Sequence, residues 1–372
     1  MITTANSFNA GSETAGLRRQ LLAWYAHGRR DLPWRRSRDP YAIWVSEIML
    51  QQTRVAVVIE RYRAFLARFP TLASLALASE QDVLALWSGL GYYRRARMLH
   101  KAARFVADHH HGKMPVTAEG LRALPGIGAY TAAAIASIAH GEAVAVVDGN
   151  VERVLCRLEG LDAASPTGAA ALKRRIAGVA DRLLDPEQPG DFNQALMELG
   201  ATMCLPRNPQ CLLCPLASRC QTRGEHKTQP RPRMLSRQVA HALAVRIGRQ
   251  PGAGPGEARR EVLLEQRPAS LTVMPGLWEL PALLDPAVPA QELRMTVRHA
   301  IMQINYYVRI RTVAEDDVDA LTVSSGRRRW VPLDEAAGMA LTGLTRKVLT
   351  RGRLLSPAVP DANAAQPALN LR

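Results

Sequence analysis

The sequence predicts two domains, an all-α amino-terminal one followed by an α+β one, and three observations carry that expectation. At 372 residues the chain is longer than one typical core encloses. Residues 17–226 run as helix after helix, with no convincing period-2 strand between them. Beyond a basic stretch that contains Pro230 and Pro232, the pattern turns to short β-type runs.

Residues 1–16, MITTANSFNAGSETAG, have neither a basic start nor an apolar centre and read as a disordered tail without an export signal. No run of 18 apolar residues occurs anywhere, so no membrane span is expected and the protein should be cytoplasmic. In DPYAIWVSEIMLQQTRVAVVIERYRAFLARF, Asp39 reads as an N-cap and Pro40 takes the first helical position, after which helical periodicity runs on. SEQDVLALWSGLGYYRRARMLHKAARFVADHH, TAEGLRALPGIGAYTAAAIASIAHG, NVERVLCRLEG and DFNQALMELGATMC continue the helical pattern. Residues 227–238 read as a linker. In residues 239–355, VAHALAVRI, EVLLEQRP, GLWELPAL and INYYVRIRTV read as strands around the turn region GRQPGAGPGEARR, and one amphipathic helix near LTRKVLTRGRLL closes the domain. Residues 356–372 read as a second disordered tail.

Charge narrows the partner. Lys and Arg number 48 against 33 Asp and Glu, a net +15 with a pI near 10.3. A balance that basic points to a polyanion, most commonly nucleic acid, with a merely solvated basic face as the alternative. Four of the five cysteines, Cys204, Cys211, Cys214 and Cys220, fall within 17 residues with gaps of six, two and five. In a reducing compartment this favours metal over disulfides. Structural zinc prefers two close pairs and only Cys211 and Cys214 form one, so a cubane iron-sulfur cluster is favoured over zinc. Cys156, in VERVLCRL, reads as an ordinary buried thiol.

In LPGIGAYTAAAIAS, residues 124–137, a helix ends near Leu124, PGIG turns, and a second helix begins near Ala129. Amides at such a turn and helix start face an anion. A helix rather than a strand precedes the turn and no GxxxxGK[ST] lysine follows, so a nucleic-acid phosphate fits better than a mononucleotide. WSGLGYYRRARML echoes the Gly-x-Gly ahead of a helix, and Tyr92 and Tyr93 with Arg94, Arg95 and Arg97 suit stacking on bases and phosphate neutralisation. A tyrosine pair half packed in a core is the plainer alternative. Glu47 follows Trp44 and Ile43 by three and four residues and so shares their apolar helix face, where burial raises a carboxyl pKa towards that of a general acid. Asp148 ends the apolar run AVAVV and starts a helix, where by spacing alone it reads as an N-cap.

Taken in order, SEIMLQQTRV, LWSGLGYYRRARMLHKAA, LPGIGAYTA, VDGNVERVLCR, FNQALMELGATMC and the four-cysteine loop resemble the MutY family of adenine DNA glycosylases, within the endonuclease III superfamily of helix-hairpin-helix glycosylases. The match covers almost all of residues 17–226 and rests on the conjunction of its motifs. VLLEQRP and GLWELP are similar to that family's Nudix-like domain. The resemblance implies an all-α helix-hairpin-helix glycosylase domain with one [4Fe-4S] cluster in the 204–220 loop, then a Nudix-like α+β lesion-recognition domain. It implies a monomer with no membrane partner, cytoplasmic and nucleoid-associated, acting on double-stranded DNA that holds adenine opposite 8-oxoguanine or guanine.

In the family, the glutamate at the Glu47 position protonates N7 of the flipped adenine, and the bond from C1′ to N9 breaks. The aspartate at the Asp148 position stabilises or briefly captures the oxocarbenium-like sugar until water completes the hydrolysis. By the same resemblance Tyr130 orders acid and base, and Asn150 positions water or phosphate. Arg30, Leu32, Trp34 and Arg35 of RRDLPWR line the base pocket. Gln52, Thr53 and Tyr92 contact the opposing base and wedge the gap it leaves, while Gly126 and Gly128 give phosphate-binding amides. Arg207 and Arg219 shape a basic DNA-contact surface. Strand-cutting relatives carry a Schiff-base lysine in GVGRKTA where this chain has GIGAYTA; Tyr130 cannot form an imine, which implies a monofunctional enzyme.

One segment departs from the family. Its Phe-Ser-His lesion-reading loop is here Ile301-Met302-Gln303, after a retained Arg298 and His299. An apolar wedge then falls to Ile301 or Met302, and Gln303 is only a partial substitute as donor. No REx2EE run is present, so no pyrophosphohydrolase activity is expected. The competing assignments are an A-mismatch glycosylase with altered lesion specificity, because Ile301-Met302-Gln303 replaces the Phe-Ser-His loop, and a glycosylase for thymine or uracil in G mismatches. Glu47 argues against the second, because pyrimidine excision needs no acid at a purine N7.

Overall fold

A computed structural model describes residues 5–161, 168–226, 233–248 and 259–356. Its helices run α1 (Ala5–Gly28), α2 (Pro40–Leu50), α3 (Val55–Arg68), α4 (Leu72–Ala76), α5 (Glu80–Leu86), α6 (Arg94–His109), α7 (Ala118–Arg122), α8 (Ala129–His140), α9 (Gly149–Leu158), α10 (Ala169–Leu183) and α11 (Pro189–Thr202). Asp39, Ser79, Thr117 and Asp148 cap α2, α5, α7 and α9 by accepting first-turn backbone N–H bonds, as the residue types at those positions require. Two compact units result. The first comprises Met1–Gln51, Thr71–Ala76 and Lys101–Gln229, and the second Gln52–Pro70, Leu77–His100 and Pro230–Arg372.

The first unit is helical. Leu21 and Tyr25 of α1 share a core with Val151 and Leu155 of α9, Ile176 of α10 and Phe192 and Leu199 of α11. Burying each such side chain stabilises by about 1.5–3 kcal/mol, so this four-helix contact fixes where α9 and α11 present their polar ends. Every residue of α2 from Tyr41 to Met49 is buried. The expected apolar stripe with a polar face opposite is therefore absent from α2: it is a central helix, and Ser46 and Glu47 are its only polar residues in that span.

The second unit pairs the α3, α5 and early α6 segments with two sheets. Strands β1 (Leu235–Leu243), β5 (Ala282–Leu283), β6 (Leu293–Ile301), β7 (Ile304–Thr312) and β8 (Thr322–Val323) form one sheet, ordered β6-β7-β1-β5-β8. β1 runs parallel to β7 and the other neighbours are antiparallel. Strands β2 (Val245–Gly248), β3 (Arg259–Gln266) and β4 (Trp278–Glu279) form the other, with β9 (Arg327–Pro332) also on β3. Val297, Val308 and Ile310 of the first sheet meet Val262, Leu264 and Val331 of the second in one core. Helix α14 (Gly343–Arg351) adds Val348 and Leu349 to it, while α12 (Val318–Leu321) and α13 (Leu333–Gly338) are short. An all-α region followed by an α+β region is thus observed, and no helix among the described residues is long and apolar enough to cross a membrane.

Several expected boundaries move. Helix α1 already runs from Ala5, inside the segment 1–16 expected to be disordered, and Arg219 secures it by bonding Glu13 O at 2.8 Å. The single helix expected from Asp39 to Phe69 breaks between α2 and α3, where Gln52 adopts φ +57°, outside helical geometry. Of the expected linker 227–238, residues 235–238 are the start of β1. The cut expected at that linker is not where the compact units part, since Gln52–Pro70 and Leu77–His100 group with the sheets. Strands β6 and β9 were not expected. In β6 the exposed Arg294, Thr296 and Arg298 alternate with Met295 and Val297, whereas β9 opens on three arginines, of which Arg328 is half-buried and pairs with Glu265. The tail 356–372, beyond Ser356, and residues 249–258 of the turn region lie outside the described residues.

Candidate active site

Glu47 is 5% exposed, and its Oε2 accepts a 2.7 Å hydrogen bond from the Tyr130 hydroxyl on α8. Burial pushes its pKa up to about 7; the Asp148 charge adds to the rise, while the Tyr130 bond and the Arg35 charge oppose it. Burial first, then the Glu47 charge and the bond to it, hold the Tyr130 phenol well above its ordinary pKa, so Tyr130 keeps the proton it donates.

Asp148 is the N-cap of α9, as spacing suggested. Its Oδ1 accepts from the Asn150 and Val151 amides at 2.9 and 2.7 Å, and its Oδ2 from Asn150 Nδ2 at 3.0 Å. Three donors aimed at one carboxylate suit negative charge. Upstream, buried Asn193 bonds Ser137 Oγ, Val144 O and Val146 N, which fixes the extended segment that delivers Asp148. Asn150 is held from its other side by Arg153 Nη2 at 3.0 Å, and Arg153 in turn bonds Gly200 O and Cys204 O. Gly200 makes this approach possible, since a Cβ there would lie 2.7 Å from Asn150 Cβ.

Arg30 and Arg35 do not project freely. Both turn their guanidinium groups onto Glu198 of α11, a side chain 1% exposed. Leu32 and Trp34, between them, are buried. Sequence reasoning passed over Glu198, and the test that singled out Glu47 does not reach it: Ala195 and Ala201 stand three residues away, but Gln194 and Thr202 stand four away, so no apolar helix face marks the position.

Gly126 adopts φ +77°, as a tight turn requires, and Gly128 is the N-cap of α8. Unlike the N-caps of α7 and α9, it offers no side-chain acceptor to the first-turn amides, and a Cβ there would meet nothing within 4 Å. Those amides are open to an outside acceptor.

Cys204, Cys211, Cys214 and Cys220 all line one pocket, with Arg157 and Met203, and all are free thiols. Arg157, buried, donates to Cys204 Sγ at 3.4 Å and to Leu205 O at 2.6 Å, and its own carbonyl accepts from Cys220 Sγ. Among the described residues no three His, Cys, Asp or Glu side chains stand together to hold one metal ion. Four thiols around a shared pocket instead fit a group larger than an ion. Arg207 is exposed, whereas Arg219, expected on a DNA-contact surface, is tied to Glu13 O and Gln20 of α1.

The remaining candidates belong to the second unit. Thr53 and Tyr92 come together on Arg95, whose Nη2 donates to Thr53 Oγ1 at 3.0 Å and whose guanidinium lies 5.5 Å from the Tyr92 ring centre. Tyr92 is 53% exposed at φ +47°, and Gln52 beside Thr53 is exposed too. Tyr93 separates from its neighbour: it is buried, and its hydroxyl donates to Leu341 O. Ile301, Met302 and Gln303 form the tip of the β6–β7 hairpin, where Met302 is 72% exposed at φ +53°.

A fold of this kind around a buried acid and a donor-ringed carboxylate defines a base-excision enzyme acting on DNA, and residues 45–176 match the model of the HhH-GPD superfamily base excision DNA repair proteins. The human adenine DNA glycosylase is 36% identical over 420 residues, covering 93% of this chain and 76% of that protein. That of Mycobacterium tuberculosis (strain CDC 1551 / Oshkosh) is 46% identical over 197 residues, covering 53% of this chain and 64% of its own. A solved thermostable thymine-DNA glycosylase superposes with a TM-score of 0.51 at 28% identity, over 57% of this chain and 96% of that one. This chain belongs to the adenine DNA glycosylase family, and is a DNA glycosylase of base excision repair.

Proposed function

We propose that the protein is a monofunctional glycosylase that removes adenine opposite 8-oxoguanine or guanine. The observation that carries the mechanism is Glu47, a carboxyl buried beside Tyr130 with its pKa pushed up to about 7. Such a group is protonated below that pH and can pass its proton to N7 of an extruded adenine. The C1′–N9 electron pair then leaves with neutral adenine. Asp148, ringed by N–H donors, faces the positive charge that develops on the sugar. A water adds at C1′ and its proton passes to the carboxylate left at Glu47, which restores the acid. Asn150 holds Asp148 and orients that water, and with tyrosine at position 130 no lysine stands there to form an imine.

Leu32 and Trp34, with Arg30 and Arg35, wall the base pocket, and the amides of Gly126, Gly128 and the first turn of α8 grip a backbone phosphate. Gln52, Thr53 and Tyr92 serve the strand opposite, and the Ile301–Gln303 tip reads the opposing base, Met302 as its apolar part. Cys204, Cys211, Cys214 and Cys220 would hold a [4Fe-4S] cluster, which when bound supplies a rigid anchor for the 204–220 loop. The sheet region acts as a Nudix-like recognition domain, and the enzyme works as a cytoplasmic monomer.

The test is single-turnover base release from duplexes with A opposite 8-oxoguanine, A opposite G, A opposite C and T opposite G. Adenine release from the first two supports the reading. Release of thymine alone would replace it with the mismatch thymine glycosylase, and a colourless protein lacking absorbance near about 400 nm would rule out the cluster.

A further inference from the structure

Glu198 receives more donors than a loop tie needs. Arg30 Nε and Nη2 reach its two oxygens at 2.8 and 2.7 Å, the Arg30 amide reaches Oε1 at 3.2 Å, and Arg35 Nη2 reaches Oε2 at 2.7 Å. Arg35 Nη1 also bonds Arg30 O at 3.1 Å, and the Tyr25 ring lies 5.4 Å from the Arg35 guanidinium. The two arginines are thereby locked to each other and to α11. Side-chain exposure is 10% for Arg35 and 1% for Glu198, so water does little to screen either charge.

We propose that Glu198 is the positioning residue of this site, fixing Arg30 and Arg35 in one arrangement and offsetting their charge beside Glu47. The proposal rests on Glu47 being the acid. Burial alone would raise the Glu198 pKa, but the Arg30 and Arg35 bonds outweigh it and hold it at about 2, so Glu198 is charged at every working pH. Arg35 favours the ionised form of Glu47. One carboxylate against two guanidiniums leaves one net positive charge there, and without Glu198 there would be two. Glu47 would then ionise at lower pH and stop being an acid sooner. A purely structural tie between the 29–36 loop and α11 would change melting and leave that pH alone.

The experiment is the pH dependence of single-turnover adenine release, with wild type, Glu198→Gln, Glu198→Asp, Arg35→Met and Glu47→Gln, each checked for folding by circular dichroism. Wild-type activity falls as pH rises, with a midpoint near 7. In Glu198→Gln the midpoint moves down by roughly one pH unit and the half-saturating DNA concentration rises several-fold. Glu198→Asp retains the charge and restores the midpoint. Arg35→Met removes the opposing charge and moves the midpoint up, which keeps the proposal open to refutation even if Glu198→Gln does not fold. A folded Glu198→Gln or Arg35→Met with the wild-type midpoint would overturn it. Full base release by Glu47→Gln would instead overturn the reading of Glu47, a distinguishable failure.

Discussion

The Glu47–Tyr130–Asp148 cluster and the Ile301–Gln303 hairpin tip are built on opposite principles. In the cluster, buried or half-buried carboxylates are each held by named donors on α8 and α9. At the hairpin tip, an exposed methionine sits in left-handed backbone with water around it. Chemistry on a base that has left the stack needs fixed geometry and a shifted pKa, which only a packed interior provides. Reading the partner base needs a surface that fits DNA, and such a surface can change its residues without disturbing the catalytic core. A Phe-Ser-His to Ile-Met-Gln exchange in the second region is therefore compatible with an intact first.

The contrast breaks most sharply at Glu47. Glu47→Gln keeps shape and hydrogen bonding and removes the transferable proton, so single-turnover adenine release should fall by about 10²–10⁴-fold while DNA affinity is retained. A stability change of opposite sense accompanies it. The folded pKa of Glu47, about 7, lies above the ordinary 4.5, so its contribution is intact below about pH 4.5 and is lost as pH rises to 7. Ionising it in the fold thus costs about 3 kcal/mol at pH 8. Glu47→Gln should melt higher than wild type at pH 8 and show no such gain at pH 4.5; equal melting at both would mean Glu47 is not strained by burial.

Asp148→Asn separates two roles that one residue holds. Asparagine keeps an oxygen for the Asn150 and Val151 amides and loses only the bond from Asn150 Nδ2, so the melting free energy should fall by no more than about 1 kcal/mol. Loss of the charge that faces the oxocarbenium should lower base release by about 10²–10³-fold. If base release kept its wild-type rate, Asp148 would be a cap alone. Gly200→Ala is a smaller disturbance at one remove. Its methyl would press on Asn150 from 2.7 Å, displacing Asn150 from Asp148 and slowing base release by about tenfold, with no change in the duplex preference.

What the sequence disclosed follows the same divide. Local chemistry was legible: the cap residues, the proline at the start of α2, the four-cysteine spacing and the acid among apolar neighbours at position 47 all act within a few residues. Long-range consequences were not. Glu198 shows its role only once α11 lies against the 29–36 loop, whose Arg30 and Arg35 are 168 and 163 residues away in the chain. The break at Gln52 leaves no glycine or proline as a marker, because Gln52 itself takes the positive φ. Tyr92 and Tyr93 look alike in sequence, and only the turn after Gly91 sends one outward and the other into the core.

The smallest expected effect lies at the hairpin tip and tests whether its strain has a use. A non-glycine residue in left-handed backbone costs about 1 kcal/mol, so Met302→Gly should stabilise the protein by up to that amount. Because Met302 is 72% exposed, its removal opens no cavity to offset the gain. If the methionine inserts beside the opposing base, the variant should release adenine opposite guanine at the wild-type rate, while its preference for 8-oxoguanine over guanine shrinks several-fold. An unchanged preference would assign lesion reading to Gln52, Thr53 and Tyr92 instead, and would leave the exposed methionine without a part in recognition.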